Sequence, residues 1–391
     1  MSDLNYWLSP AAIRDSAQKI YSEAKAGHTY FKLDETKLNP TVDYVLKVIR
    51  ENYPDLNIPF HSRWGHFRPG GVDRATWLND HLPTDKLERA RIKLDLVITS
   101  VLLDAGAGAQ WKYFEQKTQK EFNRSEGLGV ASFHMFMSTV MSGDKTLKAT
   151  AKGLKELKPT DIEKYFQVSP SNPLVGVEGR TKLLQNLGSA LENTKIFKDQ
   201  RPGNIIDYLV EKHGTTVQAT DLLRAVLDGL GPIWPGRVKL EGVNLGDVWS
   251  HTQYGKLAFH KLSQWMTYSL VEPIEEAGVK IVGVDQLTGL AEYRNGGLLL
   301  DSGLIAARDP SNLDKSWGPD SDLILEWRAL TVYFLDQIGA LVQKNLNKTS
   351  ADFPLAKVLE GGTWWAGRKI ASEKRPGGNP PLNIVSDGTV F

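Results

Sequence analysis

The chain holds 391 residues with 47 Lys plus Arg against 46 Asp plus Glu, and no cysteine. That charge balance leaves no basic field to collect phosphates along a duplex, which argues against nucleic acid as a partner. Absent cysteine excludes disulfides, thiolate zinc sites, iron–sulfur clusters and a cysteine nucleophile. In chain order, Met1 to Ala12 lacks the apolar core of a signal peptide, and no run approaches the roughly 20 apolar residues of a membrane span, so a cytoplasmic protein without a membrane partner is expected. Ser9-Pro10 opens a helix that stops at Gly27, and Asn39-Pro40 opens another with Val42, Val45, Leu46 and Ile49 on one face until Pro54 forbids continuation. A longer helix should run from about Asp85 to Leu103, burying Leu87, Ala90, Leu94, Val97, Ile98, Val101 and Leu102 and ending in the small-residue run 105–109. Thr220 should cap a helix carrying Leu222, Leu223, Val226, Leu227 and Leu230 up to Gly231-Pro232. Arg237 to Val243 and Lys280 to Val284 read as short strands. A late helix from Ser321 sets Leu323, Trp327, Leu330, Phe334, Ile338 and Leu341 in register.

Strands do not alternate with helices as a doubly wound sheet requires, so the expected fold is mainly α: one large helical domain over 1–391 with few short strands. Ser169-Pro170-Ser171-Asn172-Pro173 is the best boundary candidate, read as an internal loop because helices on both sides need partners. From Gly361 to Phe391 the chain is rich in Gly and Pro, yet Trp364, Trp365, Ile384, Val385 and Phe391 point to an irregular but ordered tail.

Most familiar chemistries find no support. His61 and His66, or His251 and His260, are not spaced as zinc ligands, so no protein metal centre and no cofactor are expected. Gly106-Ala107-Gly108 lacks the third glycine of a dinucleotide fingerprint and follows a helix instead of a strand, which reads as a helix end. There is no nucleophile elbow, and Ser125-Glu126-Gly127 and Ser386-Asp387-Gly388 read as turns and caps.

What stands out is charge inside apolar sequence. Leu287 to Arg294 carries Glu292 and Arg294, and Glu326-Trp327-Arg328 follows at a helical distance. Taking an ionised group out of water costs several kcal/mol unless a partner compensates it, so Glu292 and Glu326 either pair with Arg294 and Arg328 in a structural lattice or face a pocket. His61-Ser62-Arg63-Trp64 is dense in donors and rings, as is Asp104 with Trp111 following. Leu245-Gly246-Asp247-Val248-Trp249-Ser250-His251 combines an acid, small residues and an aromatic plate, and Phe259-His260-Lys261-Leu262-Ser263-Gln264 sets Lys261 and Gln264 three apart on a helix. Surface loops, Asp caps and a solvated helix face remain the alternatives for these segments.

Asn57 to Trp64, Arg124 to Leu128, Asn172-Pro173-Leu174, Glu178-Gly179-Arg180, Ile233-Trp234-Pro235 and Ser386 to Phe391 together resemble the uracil catabolism protein 4 family of fungal and bacterial pyrimidine-degradation clusters, over nearly the whole length. The resemblance implies a place in a route in which uracil is ribosylated, its ring opened and urea released from a ribosylurea species. Phe259, Lys261, Gln264, Thr288, Ala291 to Arg294, Leu299, Gly303, Leu304 and Glu326 to Arg328 are also similar to queuosine salvage nucleosidases, which have a DNA-glycosylase-like helical core. Those enzymes carry Asp where Glu292 stands. This likeness implies hydrolysis of a ribosyl–nitrogen bond through an oxocarbenium-like transition state, with Glu292 as the carboxylate at the anomeric centre, Asp247 in reserve, and Glu326 beside them. Arg294 and Arg328 would hold the two glutamates. Gln264, His260, Asp104 or His251 would assist the urea leaving group, by about 10²–10⁴-fold. Arg63, His61 and Lys261 would read the sugar or a 5′-phosphate, and Trp64, Trp111 or Trp249 would exclude water. Hydrolysis of an earlier ring-opened intermediate, or a non-catalytic role beside the ring-opening enzyme, are the alternatives.

Overall fold

Helices carry the architecture because the apolar stripes repeat at helical spacing and their ends are capped locally. The computed structural model describes residues 3–104, 106–108, 110–234 and 237–385. Its packing divides the chain into two units, one of Met1–His61, Gly236–Gln264 and Gly283–Phe391 and the other of Ser62–Pro235 and Trp265–Val282. Every sheet among the described residues has two strands.

In the first unit Ser9 accepts the Ala12 amide at 3.5 Å, Pro10 takes the first helical position, and Gly27 ends the Pro10–Ala26 helix at φ +91°. Its buried stripe of Ala12, Ile13, Ala17, Ile20 and Ala24 packs on the long Asp322–Asn345 helix. The Leu38–Asn52 helix buries Val42, Val45, Leu46 and Ile49 and begins slightly ahead of Asn39-Pro40, because a 3₁₀ turn over Glu35–Lys37 leads straight into it. Helix Tyr293–Ser302 touches both Asp322–Asn345 and Trp364–Lys374, at spacings that two glycines permit. A Cβ on Gly296 would stand 2.1 Å from Trp327 Cζ2, and one on Gly367 2.0 Å from the Arg294 carbonyl oxygen.

The described part of the tail, Gly361 to Val385, begins helical: a π turn over Leu359–Thr363 feeds the Trp364–Lys374 helix. Apart from Gly367 within the helix, the Gly and Pro that suggested irregularity sit outside it, Gly361-Gly362 before and Pro376-Gly377-Gly378 after. Ser386 to Phe391 lies outside the described residues. The strand expected over Arg237 to Val243 is a hairpin of Lys239–Leu240 and Val243–Asn244, reversed by Glu241 and Gly242 at φ 50° and 79°. Phe31–Leu33 pairs antiparallel with Ile305–Ala307, and Val248–His251 with Gly255–Ala258.

In the second unit Asp85 caps the Lys86–Leu102 helix by accepting the Glu88 amide at 2.7 Å. This helix buries its expected apolar face except Leu87, which is half-buried near the N-terminus, and also Lys93, Asp95, Thr99 and Ser100, so it is enclosed from Ile92 onward. Thr216–Gln218 pairs in parallel with Lys280–Val282 and runs directly into the Ala219–Leu230 helix. Gln218 is therefore the N-cap and Thr220, expected as the cap, is the second helical residue. Residues 169–173 form a tight loop in which the Asn172 side chain binds the Lys112 amide and carbonyl at 2.9 and 2.8 Å. No helix among the described residues is long and apolar enough to cross a membrane.

Candidate functional site

Four segments of the first unit enclose a cavity of about 530 Å³, within the range of small-molecule sites. His28 to Tyr30 leave the helix stop at Gly27 and enter the Phe31–Leu33 strand. The turn His251 to Gln253 joins the Val248–His251 hairpin strands, so strand pairing fixes where His251 stands. Arg308 to Asn312 follow the Ile305–Ala307 strand, and Asp322 and Glu326 lie one turn apart at the start of the long helix.

Glu326 is the buried acid of this cavity, 1% exposed. Its carboxylate accepts the Tyr30 amide at 2.6 Å and lies 3.4 Å from His251 Nε2. Burial pushes its pKa above the ordinary glutamate value, against the lowering pull of His251 and the Tyr30 amide. His251 Nδ1 is approached by two backbone amides, Gln253 at 3.1 Å and Tyr254 at 3.3 Å, and must accept from them. The ring lies between two acids of the cavity, Nδ1 3.6 Å from Asp322 and the buried Nε2 3.4 Å from Glu326. Asp322 accepts from the Thr252 amide at 3.0 Å and from the Thr252 hydroxyl. The cavity thus holds two carboxyl groups in unlike surroundings, Glu326 fully buried and Asp322 partly exposed and bonded to Thr252.

The other expected residues are placed as follows. Glu292 is the N-cap of the Tyr293–Ser302 helix, accepting the Asn295 and Arg294 amides at 2.6 and 2.8 Å. Arg294 donates to the Gly378 carbonyl at 2.8 Å. Arg328 holds neither glutamate with its terminal nitrogens: both go to Asp247, at 2.9 and 2.7 Å, over the Phe259 ring. Asp247 also accepts from Trp249 Nε1 at 2.6 Å and the Lys261 amide at 2.9 Å. Burial raises its pKa, but Arg328 and these donors outweigh that and hold it at about 2, permanently ionised. Arg237 lies 4.3 Å from the Trp249 ring. His260 binds the Trp7 carbonyl at 2.8 Å, and burial lowers its pKa. Gln264 accepts the Thr288 amide at 3.4 Å, and His61 meets Glu360 at 2.7 Å.

Arg63, Trp64, Asp104 and Trp111 belong to the second unit. Arg63 is fully buried, with Ser100 and Asp104 each at 2.7 Å, and burial lowers its pKa against the pull of Asp104. Trp64 donates to the Ser269 carbonyl and Trp111 to the Phe166 carbonyl, both at 2.9 Å, as core residues with satisfied indoles. The Gly106 carbonyl accepts from Arg180 at 3.1 Å and Leu103 from the same side chain at 3.2 Å, so this segment is a helix end tied down by Arg180. Ala105 and Ala109 lie outside the described residues.

Of the cavity's lining, Glu326 was legible from its apolar flanks and His251 from the acid, small residues and aromatic plate of its segment. Tyr30, Asn312 and Asp322 were not, although Asp322 stands four residues before Glu326, a spacing that puts both on one helix face.

Residues 6–391 match the family described as "Protein of unknown function (DUF1688)". The chain is 39% identical to "Uracil catabolism protein 4" of Lachancea kluyveri, covering 99% of each protein. It is 38% identical to "Protein urg3" of Schizosaccharomyces pombe, covering 98% of each. A match of this extent, together with identities near two in five over both full lengths, makes the chain a member of the DUF1688 family, to which it is joined by a protein named for uracil catabolism.

Proposed function

We propose that the protein acts in uracil breakdown by hydrolysing the ribosyl–nitrogen bond of a ribosylurea, giving urea and a ribose product. Kinship with a protein named for uracil catabolism supports the pathway. The observation that carries the reaction is Glu326: a desolvated carboxyl with raised proton affinity, one helical turn from Asp322, in a cavity large enough for a ribosylurea. Urea is a poor leaving group and must gain a proton as the bond breaks. The C1′–N bond breaks with its electron pair on nitrogen, which takes the proton of Glu326. Water then bonds to C1′ and gives its proton to Asp322, from which it returns to Glu326. Glycoside hydrolases divide acid and base between two carboxyl groups in the same way. His251 Nε2–H is placed to donate to a substrate oxygen beside Glu326, and Tyr30 offers a ring wall.

A second reading gives the anomeric carboxylate to Glu292, since two backbone amides fix its orientation. Purified protein incubated with ribosylurea, with urea followed by a coupled assay, tests both. Loss of urea release in Glu326→Gln with retention in Glu292→Gln supports the cavity. The reverse pattern transfers the chemistry to Glu292, and no release by the unmodified protein overturns the reaction.

A further inference from the structure

The ionisable lining of the cavity bears on a property of the substrate. Three carboxyl groups line it, Asp309, Asp322 and Glu326, the last with raised proton affinity, together with one guanidinium, Arg308, while Lys315 stands behind the lining and donates to the Asn312 side-chain oxygen at 3.0 Å. Arg308 is partly engaged: Nε donates to the Thr29 carbonyl at 2.9 Å and one terminal nitrogen to the Ala24 carbonyl at 3.3 Å, tying down the end of the Pro10–Ala26 helix. His28 lines the cavity too, but its Nδ1 lies 2.9 Å from Glu23, so any charge on it is already balanced. Asp309 is ionised at neutral pH, because the Ser311 hydroxyl and amide hold its pKa below the ordinary aspartate value. Asp322 occupies the first position of its helix, where its own charge offsets the positive end of the helix dipole that would otherwise draw an anion.

Sites for phosphate are built the opposite way, from paired cations or converging backbone amides. What this lining offers is carboxylate acceptors for hydroxyl and amide protons, the Asn312 side-chain amide, and one buried ring nitrogen, His251 Nε2, 3.4 Å from Glu326. That set matches a polyol bearing a urea group and opposes a phosphate dianion.

We propose that the cavity takes the uncharged ribosylurea and discriminates against its 5-phosphate, with Asp309 and Asp322 as the residues that reject the anion. This rests on the hydrolase reading above. The test compares kcat/KM for ribosylurea and ribosylurea 5-phosphate at low and high salt, in the unmodified protein and in Asp309→Asn. In parallel, calorimetry on Glu326→Gln measures the binding of D-ribose and D-ribose 5-phosphate. The expected result is a preference of about tenfold or more for the neutral compound, shrinking as salt screens the repulsion and narrowing in Asp309→Asn. Equal or faster turnover of the phosphate would overturn the discrimination while leaving the hydrolase standing. Failure of both compounds to release urea would overturn the hydrolase, and the calorimetry then decides discrimination alone: ribose 5-phosphate binding as tightly as ribose, or more tightly, overturns it.

Discussion

Two glutamates that look alike in sequence, each flanked by apolar residues and an arginine, end in different physical situations. Glu326 is desolvated against His251 in a cavity, while Glu292 caps a helix. Glu326→Gln should lower kcat for urea release by about 10²–10⁴-fold with a smaller change in KM, the signature of a lost proton donor. Glu292→Gln keeps an acceptor oxygen at the cap and should retain most turnover, with a fall in stability of about 1 kcal/mol or less in chemical denaturation. The proposed reaction uses Glu326 in its protonated form, and its proton affinity is raised, so kcat/KM should fall as pH rises through its pKa, on the alkaline side of an ordinary glutamate. A flat profile from pH 4 to 8 would remove Glu326 as the acid. The sequence made Glu326 legible because burial of a charge leaves apolar neighbours, and His251 because its segment joins an acid, small residues and an aromatic plate. It hid Tyr30 and Asn312, which reach the cavity only through the pairing of Phe31–Leu33 with Ile305–Ala307, strands more than 270 positions apart.

At the level of elements, local chemistry fixes the helix ends. Ser9-Pro10, Gly27 and Asp85 act where their types predict, since a cap needs only residues three or four away. Asp85→Ala should cost about 1 kcal/mol, measurable as a shifted urea midpoint with an unchanged slope. Expectations failed where a distant partner decides: the Thr220 cap gave way to a strand that pairs with Lys280–Val282, and Arg328 found Asp247 instead of a glutamate in its own segment. Helix-to-helix spacing is equally non-local. Gly296→Ala places a methyl carbon inside the Trp327 ring contact and should destabilise by about 1–3 kcal/mol or more, read as a lowered Tm.

Over the whole molecule, buried ion pairs tie together segments that the apolar stripes alone would leave unregistered. In the second unit Glu115 receives Arg74 Nε at 2.7 Å, His134 at 2.6 Å and the Thr118 hydroxyl at 2.6 Å, all of it out of solvent contact at the carboxylate. Burial raises its pKa, but Arg74, Thr118 and His134 together outweigh that and hold it at about 2, below the ordinary 4.5. A depressed folded-state pKa means the unfolded chain binds the proton first. The pair's contribution is therefore complete above pH 4.5 and is lost as pH falls from there toward about 2. Acid unfolding followed by circular dichroism should show this loss, and Glu115→Gln should flatten it. Arg74→Met, which strands the buried carboxylate, should cost about 3–5 kcal/mol near neutral pH.

Neighbouring positions on the long helix join two tasks. Glu326 enters the cavity and Trp327, the next residue, is wedged against Gly296, with its indole on the Gly296 carbonyl at 3.2 Å. The position of the Glu326 carboxyl is thus set in part by how its neighbour Trp327 packs against Gly296. On the proposed reaction, a larger residue at 296 would shift the carboxyl from the bond it protonates while leaving the rest of the cavity lining in place, so the rate constant for bond breaking would drop before affinity does.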